Sequence, residues 1–422
     1  LSGKLFTLII FIAVYLYLIF FKRNRGLGVW VGILLLWVGG MVGVKMMIKE
    51  INWNVLGIFA GTLIIAELFI RSRAPARLTD SLVKRSKTVG MAVLWICILT
   101  SFISAFVENV ATVLIVAPLA LQLAKRMKTS PVPFLIGIAI SSNLQGTATL
   151  IGDPPSMILA GYERMTFNDF FFYQGRPSIF FAVELGAITS MFFLYLFYRR
   201  NRGRVTPIAI EKVKSWVPTI LLISMVATLA LSSVLDPGFT YLGGIVCLSF
   251  GGVGLVWQWI KERDESKEVM KGYDWETTLF LAGIFVLVGA LKEAGVITEM
   301  ANLMRSFIGP SPFWSFTVIV WLSVLFSAFI DNVPYITAMI PVSHLLADSL
   351  SLPPTLFVFG LLIGSCLGGN ITPIGASANI TAMGIARKRG YQVRFIDFAR
   401  LGLPFTILAT LSGYLFIWFV WR

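Results

Sequence analysis

One histidine, three cysteines and few charges set the first limits on this 422-residue chain. A single histidine, His344, leaves no His-rich metal cage and weakens any histidine-based proton relay. Cys97, Cys247 and Cys366 lie in apolar stretches and form no C-x-x-C pair, which excludes a disulfide framework and a zinc site. No G-x-x-x-x-G-K-[ST] loop is present, so the chain does not power itself with ATP. A nucleophile–base constellation and a soluble domain are also lacking, which argues against a membrane enzyme or receptor. No metal centre is expected, and no cofactor beyond Na⁺ or a proton as coupling ion.

What is present is apolar sequence. Hydrophobic residues make up 57% of the chain and charged ones 13%, and several runs reach the roughly 20 residues that span a bilayer. The reading is an all-α polytopic membrane protein. Spans fall near 5–21, 27–47, 54–70, 132–163, 177–198, 216–235, 239–259, 276–291, 355–386 and 403–421. Leu5 to Phe21 reads as a retained span. Two further stretches, 90–126 and 313–347, are interrupted by Glu108-Asn109-Val110 and Asp331-Asn332-Val333, and each reads as a re-entrant hairpin. The net charge of +14 fits topology better than nucleic acid, which is not an expected partner. With hairpins entering from opposite sides, 27 of the 35 basic residues fall in loops on one side, as the positive-inside rule requires. Lys22-Arg23 belongs to that side, and both termini then lie on the other. Arg71 to Lys87 reads as an interfacial amphipathic helix or an ordinary basic loop.

The spans 132–163 and 355–386 are broken. Ser141 to Pro155 carries hydroxyl residues, two glycines and two consecutive prolines, so no helix is expected through it. Ser365 to Asn379 is its counterpart. Irregular backbone at membrane depth is tolerated only against protein or a water-filled cavity. Secondary transporters place substrate and ion sites at such breaks.

The halves repeat at an offset of 223: Ser104-Ala105-Phe106 meets Ser327-Ala328-Phe329, Gly146 meets Gly369, and Thr149 meets Thr372. Upstream, at 222, Trp53 meets Trp275. Each half then has five crossings and one hairpin, and an odd number inverts the second copy. The expected units are an inverted repeat over 1–204, a linker over 205–215, and its mate over 216–422. Tips and breaks together expose Asn, Ser, Thr and freed carbonyls, hard ligands that suit Na⁺ or a small polar solute. Half-helix N-termini aimed there suit an anion, so ligand identity stays open. The site residues expected are Glu108, Asn109, Ser142, Asn143, Gly146, Thr147, Thr149, Asp153, Asp331, Asn332, Ser365, Gly369, Asn370, Thr372 and Asn379. Acids inside a membrane are functional candidates by default. Glu108 and Asp331 have an alternative role as helix caps, and so does Asp153. His344 reads as a satisfied polar residue, and Cys366 as packing.

The runs SAFVENVATVLIVAP, SNLQGTATLIGDPPSMILAG, SAFIDNVPYITAMIP and GSCLGGNITPIGASANITAMGIA resemble the ion-transporter superfamily. Its members include ArsB-type arsenite permeases, NhaD-type Na⁺/H⁺ antiporters and the melanosomal P protein, with divalent anion/Na⁺ symporters more distant. The resemblance implies an elevator-type carrier, commonly a homodimer, whose moving domain holds both hairpins and both broken helices. It implies an ATPase partner if the chain is an arsenite permease. The function expected is a secondary transporter in a prokaryotic inner membrane that exports a small inorganic solute, arsenite or antimonite, against protons. Asn109, Asn143, Thr149, Asn332, Asn370 and Thr372 would bind neutral arsenous acid, with Glu108, Asp153 or Asp331 coupling protons. The alternatives are Na⁺/H⁺ antiport, in which these carboxylates bind either cation, and an anion or carboxylate pathway.

Overall fold

Apolar runs bounded by basic loops become helices. The computed structural model describes all residues except 1–2, 22–23, 127–128, 201–202, 204–211 and 309–310. Lys22-Arg23 and the linker as far as residue 211 therefore lie outside the described residues. The first half contains α1 (Gly3–Phe20), α2 (Arg25–Val38), α3 (Val44–Glu50), α4 (Trp53–Arg71), α5 (Ala74–Arg85), α6 (Val89–Ser104), α7 (Asn109–Arg126), α8 (Val132–Gly146), α9 (Pro154–Glu163) and α10 (Ile179–Tyr198). The second contains α11 (Val217–Leu235), α12 (Leu242–Lys261), α13 (Arg263–Gly272), α14 (Trp275–Glu293), α15 (Val296–Ile308), α16 (Pro312–Ser327), α17 (Asn332–Ser349), α18 (Pro354–Gly368), α19 (Ser377–Lys388) and α20 (Phe395–Trp421). Eight of them are long and apolar enough to cross a membrane, among the described residues.

Several expectations need correction. The class is mostly helical and not strictly all-α, because a two-residue antiparallel hairpin pairs Phe172 with Pro177. The span at 27–47 is two helices, since the chain turns at Gly40, which takes φ +72°, a conformation open to glycine. Both breaks are shorter than expected. Helix α8 runs on through Ser141, Ser142 and Asn143 to Gly146, and α18 runs through Ser365 to Gly368. The buried side chains of Ser142, Asn143 and Ser365 find partners inside the protein, and that outweighs a few tenths of a kcal/mol of helix propensity per residue. The irregular backbone is confined to 147–153 and, after a short 3₁₀ turn at Gly369–Ile371, to 372–376. Within the stretch 71–87, Ala74–Arg85 forms a helix, α5, with Ala74 and Val83 buried against its neighbours.

Small residues set the close crossings. A Cβ on Gly57 would stand 2.9 Å from the Cα of Gly244, and one on Gly61 would stand 2.1 Å from the carbonyl carbon of Cys247. Helices α4 and α12 therefore meet backbone to backbone, as small residues allow in membranes. Asn54 fastens the crossing, accepting from Gly244 N (2.6 Å) and donating to Phe239 O (3.0 Å). The hairpin helices α6 and α7 pack on α8, and α16 and α17 on α18. The second limbs cross over: α19 packs on α7 and α8, while α9 packs on α17 and α18. The limb after each break is thus held by the other half's hairpin.

In the loop before α12, Asp236 accepts from the N–H groups of Thr240, Tyr241 and Leu242. Slight burial pushes its pKa up, but these bonds outweigh burial and hold the carboxyl down at about 2. A depressed acid contributes stability that is present at neutral pH and lost as pH falls from about 4 toward 2. Thermal unfolding of Asp236→Ala should accordingly lie below the parent at pH 7 and converge with it near pH 2. A constant difference across that range would contradict the assignment.

Candidate functional site

Each hairpin turns at an acid that caps the helix after it. Glu108 Oε2 accepts from Ala111 N at 3.0 Å, and Asp331 Oδ1 from Val333 N at 3.1 Å. Behind each tip the same contacts recur 223 residues apart. Thr149 Oγ1 donates to the carbonyl of Ala105, as Thr372 Oγ1 does to that of Ala328. A Cβ on Gly152 would lie 2.4 Å from Gly146 O, and one on Gly375 would lie 2.6 Å from Gly369 O. Ser104 Oγ donates to Asn109 Oδ1 (2.7 Å), and Ser327 Oγ donates to Ser365 O. Ser142 Oγ lies 2.8 Å from Ser104 Oγ and 3.1 Å from the carbonyl of Asn109. A Cβ on Gly146 would meet Asn109 Oδ1 at 2.1 Å, so glycine alone admits that amide.

Three buried amides join the halves. Asn143 Nδ2 donates to Asn370 Oδ1 at 2.8 Å and to Asn379 Oδ1 at 2.9 Å. Asn379 Nδ2 donates in turn to the carbonyls of Gly369 and Thr372, both at 2.9 Å, and Asn370 Nδ2 to Ile140 O at 3.3 Å. Buried polar networks satisfied in this way are rigid. They leave the Oδ1 of Asn143 as the atom of that trio turned to the site.

In front of this wall lies a cavity of about 280 Å³. Of the residues expected from sequence, Glu108, Asn109, Asn143, Asp153, Asp331 and Asn332 line it. Ser142, Gly146, Thr147, Thr149, Ser365, Gly369, Asn370, Thr372 and Asn379 do not, because their side chains or backbone are consumed in holding the breaks. They are buried supports. Asp153 begins α9 yet makes no capping bond, so a cap is not its role. Its carboxylate is 6% exposed and is reached by the Asn109 side chain.

Sequence reasoning missed one wall. Phe59 and Leu63 of α4, Asp274, Glu276, Thr277 and Phe280 at the start of α14, and Arg25 at the start of α2 also face the cavity. Asp274 and Glu276 are exposed and stand at its mouth. The Arg25 guanidinium forms an ion pair with Asp331, and its main-chain N–H donates to Glu276 Oε1 at 2.8 Å. The signal available for α4 and α14 was the repeat itself; for Arg25, which looks like one more loop cation, there was none. The remaining intramembrane acids have local partners: Glu67 pairs with Arg71, Glu184 accepts from Gln145, and Glu163 pairs with His344.

Apolar helices interrupted around a polar cavity are the arrangement found in membrane transporters. The comparisons agree. The chain belongs to the CitMHS citrate transporter family, whose model matches residues 15–364. It is similar to an uncharacterized transporter of Mycobacterium tuberculosis strain H37Rv, 29% identical, with 87% of this chain and 86% of that one covered. It is also similar to an uncharacterized transporter of Synechocystis, 26% identical over 98% and 96% of the two chains. The P protein of Mus musculus is 25% identical over 89% of this chain and 55% of its own length. Among solved structures, the fold is similar to the YdaH transporter of Alcanivorax borkumensis, with a TM-score of 0.61, 15% identity, and 88% and 86% of the chains covered. It is similar too to Neisseria gonorrhoeae MtrF, with a TM-score of 0.56, 15% identity, and 92% and 84% covered.

Proposed function

We propose that this chain is a secondary transporter that exchanges sodium for protons at the cavity where tips and breaks meet. The observation that carries this reading is the cavity's charge. Five carboxylates line it, Glu108, Asp153, Asp274, Glu276 and Asp331, against one basic residue, Arg25, among the described residues. Asp274 and Glu276 stand exposed at the mouth. Glu108, Asp153 and Asp331 are drawn wholly or partly out of bulk water, and carboxylates so placed need a cation or a proton. Two cations that compete for one set of acids are exchanged when the site faces each side of the membrane in turn. Asn143, whose Oδ1 makes no bond within its amide trio, adds an amide oxygen, a sodium ligand of the same hard class.

A family named for citrate supports a second reading, and Arg25 is the group that would receive a substrate carboxylate. A citrate anion entering here would need protons or a cation to offset the five acids. Arsenite efflux, preferred from sequence, draws less from the geometry, because Asn143 spends its donor on Asn370 and Asn379, and those two spend theirs on main-chain carbonyls.

The same reading includes alternation of access by an elevator movement. The hairpins and broken helices form the moving body in it, and α2, α4 and α14 form the wall it slides along. The copies over 1–204 and 216–422 are oppositely oriented, joined by the linker at 205–215. A homodimer in a prokaryotic inner membrane is its natural setting, with an ATPase partner only if arsenite is the cargo.

Purified protein in liposomes containing a pH-sensitive dye, under an imposed proton gradient, tests the proposal. NaCl, arsenite and citrate are added separately. Sodium alone should dissipate the gradient. Citrate or arsenite uptake with no response to sodium would overturn it.

A further inference from the structure

The two halves treat their acids differently, and this carries a further step that rests on the cation-exchange reading. In the first half, Glu108 at the tip is joined by Asp153 at the break. In the second, Asp331 occupies the tip, while the position equivalent to Asp153 is Ala376. The only basic residue of the cavity, among the described residues, is bound to Asp331.

The repeat identifies where that basic residue came from. Helix α2 packs on α14 as α12 packs on α4. Arg25 N donates to the side chain of Glu276 (2.8 Å), and Gly244 N donates to the side chain of Asn54 (2.6 Å). Glu276 lies 222 residues after Asn54, the offset that relates α4 to α14. Arg25 and Gly244 make matching contacts and are therefore structural mates, and the first half-site has a glycine, supplied by α12, where the second has a guanidinium, supplied by α2. That glycine is also required by packing, since a Cβ on it would lie 2.9 Å from Asn54 O. Among the described residues, the first half-site thus presents two carboxylates and no fixed cation. The second presents one carboxylate already paired, with 19% and 17% of the two side chains exposed.

We infer that Arg25 is a resident counter-ion that permanently occupies the second half-site, so that only the first half-site, Glu108 with Asp153, takes up an exchangeable cation. The arginine is tethered by its own main chain, so it neutralises Asp331 without being transported. A guanidinium suits the task because it stays charged at any working pH and meets a carboxylate in a fixed geometry. A symmetric fold built for two cations is in this way reduced to one. Arg25 is then a specificity-determining residue: it sets how many cations move in each cycle.

Sodium dependence of exchange in liposomes tests the inference. The parent protein and Arg25→Lys should give Hill coefficients of about 1, whereas Arg25→Gln, with Asp331 released, should approach about 2. Adding Asp331→Asn to Arg25→Gln should return the value to about 1. Active Arg25→Gln protein with an unchanged coefficient would overturn the proposal. So would Arg25→Gln and the double variant both folding but losing transport, since Arg25 would then serve the substrate itself.

Melting temperatures of the parent, Arg25→Gln, Asp331→Asn and the double variant in detergent keep the pair testable whatever the cargo. Removing one partner leaves a buried charge alone, whereas removing both does not. Arg25→Gln should melt lower than the parent and the double variant should recover most of the loss. Additive losses would show that Arg25 does not hold Asp331. A parent protein that moves no sodium overturns the antiport reading of the preceding section, and this cycle still decides the ion pair.

Discussion

Asp153→Asn should abolish coupled exchange while leaving the protein folded. The carboxylate is buried at the cavity floor, where the Asn109 side chain reaches it, and it makes no bond to the start of α9. The start of α9 does not depend on its charge, and asparagine fills the same volume and can still accept from Asn109. Transport does depend on the charge, because a neutral amide neither releases a proton nor holds a cation by electrostatics. A charge-assisted contact is worth about 1.5–3 kcal/mol, so sodium affinity should fall by up to about 100-fold. Proton release from position 153 should stop entirely. The measurement is sodium-driven pH change in liposomes beside a melting curve in detergent. Sodium exchange within a factor of about 3 of the parent would remove Asp153 from the ion path. Glu108→Gln is the informative companion. A glutamine oxygen keeps the bond from Ala111 N, so the tip is preserved and only the second charge of the half-site is lost.

The tips and breaks were legible because the chain writes them twice. Gly146 with Gly152 and Gly369 with Gly375 recur at one spacing because each pair lets the backbone fold back against itself after the break. Thr149 and Thr372 recur because each ties its break to the hairpin before it. What a repeat cannot convey is which recurrent polar residue faces the cavity and which is spent behind it. Asn143 and Asn370 share the centre, yet Asn143 lines the site and Asn370 does not, a difference set by which half's limb lies in front. The extent of the breaks was overestimated for a related reason. Serine in sequence reads as a helix breaker, but Ser142, buried beside Ser104 and the carbonyl of Asn109, has its hydroxyl satisfied and stays helical. Arg25 was hidden because charge counting assigns a basic residue between spans to the loop. Its ion pair with Asp331, 306 residues away, exists only in three dimensions.

Recurrence also does not fix what a glycine is for, and Gly402→Ala against Gly384→Ala shows it. Helix α20 crosses the second break where a Cβ on Gly402 would lie 2.0 Å from the carbonyl oxygen of Asn370. That oxygen is main chain, so no rotamer change relieves the overlap. Either α20 or the 3₁₀ turn at Gly369–Ile371 must move. Overpacking of this kind costs about 3 kcal/mol where backbone meets backbone. The displacement passes directly to the site, because Asn370 accepts the amide of Asn143, and that amide also holds Asn379. Gly402→Ala should therefore melt well below the parent and lose transport even at temperatures where it stays folded. Gly384 is closer in sequence to the cavity-lining residues of α19, yet a Cβ there meets nothing within 4 Å. Its replacement by alanine relieves the glycine cost in a helix and should be neutral or stabilising by about 0.5–1 kcal/mol. Equal effects from the two substitutions, in melting temperature and in exchange rate, would mean that α20 does not brace the break.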